Sequence, residues 1–229
     1  MIDPGASLGR LVAERPSRAE LFERLRLDYC CNGDQTLTQA CGRRGLDVET
    51  VCRMVAALEG ARLDRWHAEG NDWRRASIAE LCDHIVTAHH GKLRSELPRI
   101  GELLDTVVRV HGAHRHELHD LRRLFATTRL ELESHMETEE RVLFPACRAA
   151  EAGGVAVDEE LLGAHEREHR NTGDAFAAVR ELTRDYDPTG ALCGTHRRTM
   201  EALRQLELEL HQHIHEENNI LFPRVRAIR

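Results

Sequence analysis

From Ala76 onward, apolar residues recur every three to four positions and polar residues fill the intervals. That period belongs to amphipathic helices rather than to strands, where alternation would be strict. The pattern predicts helices near 77–111, 116–150, 158–185 and 190–227. The interruptions have turn chemistry: His111-Gly112-Ala113-His114, Ala152-Gly153-Gly154 and Tyr186-Asp187-Pro188-Thr189-Gly190. Four long helices with short connections predict an all-α, up-down-up-down four-helix bundle over 76–229.

The N-terminal part, 1–58, reads differently, as four short helices. Ser7 is placed to cap a helix with Leu8, Leu11 and Val12 on one face. Pro16 and Ser17 open a second, with Leu21, Phe22 and Leu25 inward. Asn32-Gly33-Asp34 is a turn. Thr36 to Cys41 forms a third helix closed by Gly42, and Asp47 starts a fourth that ends at Leu58. So small a core is expected to need a neighbour or a dimer partner for stability. Residues 59–75 are polar, carry two glycines and read as a linker long enough to let the small domain move.

Composition narrows the function. Lys and Arg number 32 against 39 Asp and Glu, a formal charge of −7, so no basic field is present to hold nucleic-acid phosphates. No apolar run is long enough to span a membrane and no signal-peptide core opens the chain, which places it in the cytoplasm. Seven cysteines, an odd number, read as free thiols or metal chemistry rather than as a disulfide framework. Fifteen histidines is the outlying count.

Those histidines fall into a repeat. Residues 135–145 read HMETEERVLFP and residues 213–223 read HIHEENNILFP. In each, Glu follows His by four positions and Leu-Phe-Pro sits at the same offset. Four residues of helix advance about 6 Å and turn about 40° past a full circle, so His135 and Glu139 face one way, as do His213 and Glu217. In an antiparallel hairpin, residues equidistant from the turn lie level. His90, 45 residues before His135, and His169, 44 before His213, meet that condition. The two halves together supply four His and two Glu, too many ligands for one zinc ion. They suit two iron ions bridged by carboxylates, with open positions for oxo, hydroxo or a small diatomic ligand; manganese accepts similar donors.

Other candidates are weaker. His165, four before His169, is an additional ligand if its ring faces inward. His111 lies about 30 Å along a straight helix from His90, beyond reach of the same site. Cys30 and Cys31 adjoin, a spacing at which a mutual disulfide is strained. They are either core residues or exposed thiols on a mobile loop, suited to taking a metal, nitric oxide or an electron.

Asp28-Tyr29-Cys30-Cys31, Thr36-Leu37-x-x-Ala40-Cys41, Glu96-Leu97-Pro98, Val110-His111-Gly112, Glu168-His169 and the two repeat blocks occur in this order along nearly the whole chain. Together they resemble the repair of iron centres (RIC) family, in which a small cysteine-containing domain precedes a hemerythrin-like domain. The resemblance implies a cytoplasmic protein that repairs iron–sulfur clusters damaged by nitric oxide or oxidative stress, by donating iron to damaged iron–sulfur proteins. It implies two non-haem iron ions, µ-oxo bridged, on His90, His135, Glu139, His169, His213 and Glu217; beside such a centre, Cys30 and Cys31 are the candidates for thiol transfer. It also singles out His111. Two positions depart from the family: Asn32 stands where Gly is usual, tolerable because Asn adopts left-handed backbone, and His165 stands where an apolar residue is expected. An open di-iron site also fits a nitric oxide reductase or peroxidase, or a protein that binds or senses oxygen or nitric oxide.

Overall fold

The computed structural model describes residues 2–62 and 72–228. Among these the chain is helical, with no strand and one isolated bridge between Ser7 and Thr36. It forms two compact units, residues 1–81 with 214–229, and residues 82–213. Most of the linker expected at 59–75 lies outside the described residues. Its first part, to Arg62, continues the helix before it.

In the first unit, α1 (Leu8–Glu14) starts where the Ser7 hydroxyl accepts the Arg10 N–H. Helix α2 (Arg18–Leu25) ends at Arg26, whose φ of 56° is left-handed. Helix α3 (Leu37–Arg44) opens on a reciprocal capping box between Thr36 and Gln39. It runs past Gly42 and stops at Gly45, φ 65°, because glycine carries no Cβ to oppose that conformation. Helix α4 (Val48–Arg62) begins where the Asp47 carboxylate accepts the Thr50 N–H. Leu8, Val12, Phe22, Tyr29, Leu37 and Val55 form the core, and Ile214 from the C-terminal segment joins it. That segment also serves the cysteine turn, since Asn219 Nδ2 donates to the Tyr29 and Cys30 carbonyls at 3.2 and 3.0 Å. The small core is thus completed by residues distant in sequence, which answers the shortage of apolar surface in 58 residues alone.

The bundle helices are α5 (Ile78–His84) with α6 (Gly91–His111), α7 (Glu117–Thr138) with α8 (Phe144–Glu151), α9 (Glu159–Thr183), and α10 (Gly194–Glu216) with α11 (Phe222–Arg226). In the second unit Leu97 and Leu104 of α6, Phe125 and Leu132 of α7, Phe176 of α9 and Leu203 and Leu210 of α10 share one core. The third helix ends at Thr183, earlier than 185, because Arg184, Asp185 and Tyr186 are all left-handed. None of the three is glycine, so the sequence carries no mark of that stop. The fourth starts at Gly194, later than 190. No helix among the described residues is long and apolar enough to cross a membrane.

Three π-helical turns join these pieces: Ile85–His90, Glu139–Leu143 and Glu217–Leu221. The N–H groups of Phe144 and Phe222 donate five residues back, to the Glu139 and Glu217 carbonyls. Pro145 and Pro223 follow at once. Proline has no N–H to give and its ring collides with the carbonyl four residues back, so a wider turn before it relieves both problems. The Leu-Phe-Pro of the repeat, read as ordinary α-helix, is the sequence trace of this turn.

Candidate metal centre

Each π turn either ends or begins on a predicted ligand: His90 closes the first, Glu139 opens the second and Glu217 opens the third. Within the second unit, His90, His135, Glu139, His169 and His213 converge, all buried. Glu139 lies at the centre. Its Oε2 is 3.3 Å from His90 Nε2 and 3.9 Å from His213 Nε2. Its Oε1 is 2.9 Å from His135 Nε2 and 3.9 Å from His169 Nε2. The two histidines of each pair also face one another, His90 and His213 at 3.3 Å and His135 and His169 at 3.0 Å between Nε2 atoms. One carboxylate thus addresses two imidazole pairs, one pair per oxygen. Glu217 is buried one turn beyond His213, on the same continuous helix.

Two further carboxylates fix the rings. His90 Nδ1–H donates to Glu140 Oε1 at 2.7 Å, and His135 Nδ1–H donates to Glu168 Oε2 at 2.6 Å. A carboxylate only accepts, so these bonds place the hydrogen on Nδ1 and turn the Nε2 lone pair toward Glu139. Burial pushes the Glu139 carboxyl up, but the surrounding imidazoles of His135, His90 and His213 reverse this and hold it well below the carboxylate range. Among the described residues neither Glu139 oxygen accepts a hydrogen bond of good geometry. Four neutral imidazoles aim lone pairs at an anion, while four imidazolium ions crowd like charge in a dry site. Cations between the nitrogens and the carboxylate resolve both, so the donor set fits iron.

Alanine at Glu168 is expected to lower iron affinity about 10–100-fold, because His135 then loses the partner that orients it. Competition with a chromophoric chelator measures this, and an unchanged affinity would show that the ring needs no such support. Glu140 and Glu168 had no assigned role in the sequence, since only the fold carries Glu140 to His90, 50 residues away.

The remaining candidates divide. His165 is buried and faces inward, its Nδ1 3.8 Å from both Glu139 Oε1 and Glu168 Oε2. His111 stands apart from the cluster, at the far end of α6, with Nε2 3.2 Å from Cys193 Sγ. His89 turns aside to Glu209, at 2.7 Å, and the His215 ring packs edge-on against Tyr29.

In the first unit, Cys30 is buried and Cys31 half-buried, which favours the core reading of the two over exposed thiols on a mobile loop. Asp28 explains it: its Oδ1 accepts the Cys30 and Cys31 N–H groups at 3.2 and 2.9 Å and lies 3.3 Å from Cys30 Sγ. The sulfurs are 3.7 Å apart and both are free thiols. The neighbouring Cys31 thiol, burial and the Asp28 charge push Cys30 well up. Asn32 needs no left-handed backbone; it donates from Nδ2 to Asp28 Oδ2 at 2.6 Å.

Comparison with known proteins agrees with this geometry. The family model of the hemerythrin HHE cation binding domain matches residues 81–225. A domain of unknown function (DUF542) matches residues 4–59. The iron-sulfur cluster repair protein YtfE of Pectobacterium carotovorum subsp. carotovorum is 34% identical over 218 residues, 95% of each chain. The protein of the same name from Edwardsiella ictaluri is 35% identical over 217 residues, again 95% of each chain. That from Escherichia coli O6:K15:H31 is 33% identical over 220 residues, 96% of each.

Proposed function

Because the chain belongs to the hemerythrin HHE cation binding family, and to the family of the iron-sulfur cluster repair proteins that it matches end to end, we propose that it repairs damaged iron–sulfur clusters by donating iron. The observation that carries this reading is Glu139, whose two oxygens each face a pair of imidazole nitrogens. In this reading His90, His135, Glu139, His169, His213 and Glu217 hold two non-haem iron ions, µ-oxo bridged, with Glu217 matching Glu139 through the repeat. Carboxylate and imidazole ligands hold ferrous iron more loosely than thiolates do, which suits a donor. Glu140 and Glu168 keep the ring nitrogens aimed, and burial of the cluster excludes bulk water. His165 stands ready as an additional ligand.

Cys30 and Cys31 are assigned thiol transfer, receiving iron or nitric oxide during the exchange. The neighbouring Cys31 thiol, burial and the Asp28 charge push the Cys30 thiol up, so Cys30 keeps its proton until a metal cation displaces it. The partners are iron–sulfur proteins damaged by nitric oxide or oxidation, met in the cytoplasm, with nitric oxide or oxygen as small ligands and a homodimer as the expected assembly.

The test is recovery of activity by a nitric-oxide-treated iron–sulfur dehydratase, with the protein added in its iron-loaded form. Recovery is expected with the parent and is expected to fall to the no-protein level with the double variant Cys30→Ala, Cys31→Ala. Full recovery with the double variant would remove the cysteines from the mechanism. No recovery with the iron-loaded parent would remove the donor reading itself.

A further inference from the structure

His89 is a buried histidine to which the metal centre gives no role. It adjoins His90 on the π turn Ile85–His90 and is 7% exposed. A π turn carries more residues per turn than an α-helix, so neighbouring side chains diverge less, and both rings reach the interior of the second unit. His90 meets the His213 ring edge to face, with centroids 5.0 Å apart and planes at 76°. His89 lies along the face of that same ring, with centroids 5.7 Å apart and planes at 19°. Phe144 backs the His90 ring in like manner, at 5.7 Å and 21°. Each member of the His90–His213 pair is thus stacked on a further ring, inside the range of about 4.5–7 Å at which offset rings attract.

Phe144 is apolar and buried, so packing alone holds it. An imidazole used in the same way needs a polar partner, and His89 has one: its Nδ1–H donates to Glu209 Oε1 at 2.7 Å. Lys92 Nζ donates to the other Glu209 oxygen. Burial pushes the Glu209 carboxyl up, but the hydrogen bonds from His89 and Lys92 outweigh it and hold the carboxyl below the usual range. Glu209 stands four residues before His213 on α10, so the anchor and the ring it serves share one face of one helix. The lone pair of an imidazole nitrogen lies in the plane of its ring. A neighbour packed flat against that plane resists rotation of the ring and keeps His213 Nε2 aimed at Glu139 Oε2, 3.9 Å away. Glu140 and Glu168 orient their rings through a hydrogen bond to Nδ1, whereas His89 acts on the face of the ring.

We propose that His89, clamped by Glu209, is a positioning residue that keeps the His213 ring aimed and so sets how firmly the His90–His213 side of the cluster holds its ion, a role that rests on the two-ion reading given above. Without the flat support His213 turns more freely, its nitrogen spends less time on target, and the ion on that side leaves sooner. The His135–His169 side, which faces the other oxygen of Glu139, keeps its ion.

The experiment loads the full chain with ferrous iron under anaerobic conditions and follows transfer of the iron to ferrozine by absorbance. Thermal unfolding of the iron-free chain shows in parallel that each variant folds. His89→Leu keeps the bulk of the side chain but not its flat face. One of its two ions is expected to leave at least about tenfold faster than in the parent, the scale on which orienting partners act. His89→Phe keeps the face and is expected to restore the parent rate, a rescue that bulk alone would not produce. Glu209→Ala leaves the ring present but loose and is expected to speed release by a smaller factor. Release from His89→Leu at the parent rate overturns the proposal, and so does fast release from His89→Phe. If the buried position tolerates neither change, Glu209→Ala decides, and a parent-like rate there overturns it. A parent that binds no iron overturns the two-ion reading and this role with it, whereas a parent with two ions and an unaltered His89→Leu protein overturns the role alone.

Discussion

Replacing Glu139 with alanine is expected to abolish iron binding while the bundle still folds. The carboxylate is fully buried, and its two oxygens are what the His90–His213 and His135–His169 pairs have in common. Loss of a group that only supports a ligand costs metal sites about 10–100-fold in affinity, so loss of the carboxylate that faces both imidazole pairs should cost at least about 100-fold. The measurement is iron per chain, with the visible absorption of aerobically purified protein, for the parent and the variant. About two irons per chain, with an oxo-to-iron band, is expected for the parent on the donor count. Glu137→Ala is the control. Glu137 is exposed on the same helix and, among the described residues, pairs with Arg141 at 2.8 Å. Iron content should survive that change. Full iron retention in the Glu139→Ala protein would return the cluster to an ordinary buried polar network.

The second large effect is expected from a methyl group. Gly33→Ala should destabilise the first unit by about 3 kcal/mol, the upper part of the range for overpacking. A Cβ at Gly33 would stand 2.6 Å from the Tyr29 carbonyl oxygen and 2.1 Å from Asn219 Oδ1. The Tyr29 oxygen is backbone and cannot swing away. The Gly33 carbonyl is also held, accepting the Gly9 N–H at 2.8 Å. The turn must therefore move, and with it the Asn219 hydrogen bonds that hold the Tyr29 and Cys30 carbonyls. A lower thermal midpoint and faster reaction of Cys30 with a thiol reagent are both expected. Gly42→Ala is the counterpart with the opposite sign. Gly42 lies inside α3 with nothing within 4 Å of its added Cβ. Alanine there should stabilise by about 0.5–1 kcal/mol, because glycine gives up more backbone freedom in a helix. A Gly33→Ala protein as stable as the parent would mean that the turn relaxes freely.

The sequence determined the all-α class, the four bundle helices to within a few residues, and the level at which His90, His135, Glu139, His169 and His213 meet. Each follows from a period, 3.6 residues for the helices and the hairpin spacing for the histidines, and a period survives without coordinates. The tertiary structure decided what depends on groups far apart in the chain. Glu140 and Glu168 became orienting partners only when the helices packed, and Asn218 and Asn219 reached the cysteine turn across almost the whole chain. His111 found Cys193, 82 residues away, because two helix ends meet. Local geometry without a local mark was equally hidden. Three left-handed residues in a row end α9 with no glycine among them, and the π turns shift the helical phase at Glu139 and Glu217. A repeat tells which side chains share a face. Which hydrogen each ring carries, and which oxygen it faces, is set by partners that the chain meets only on folding.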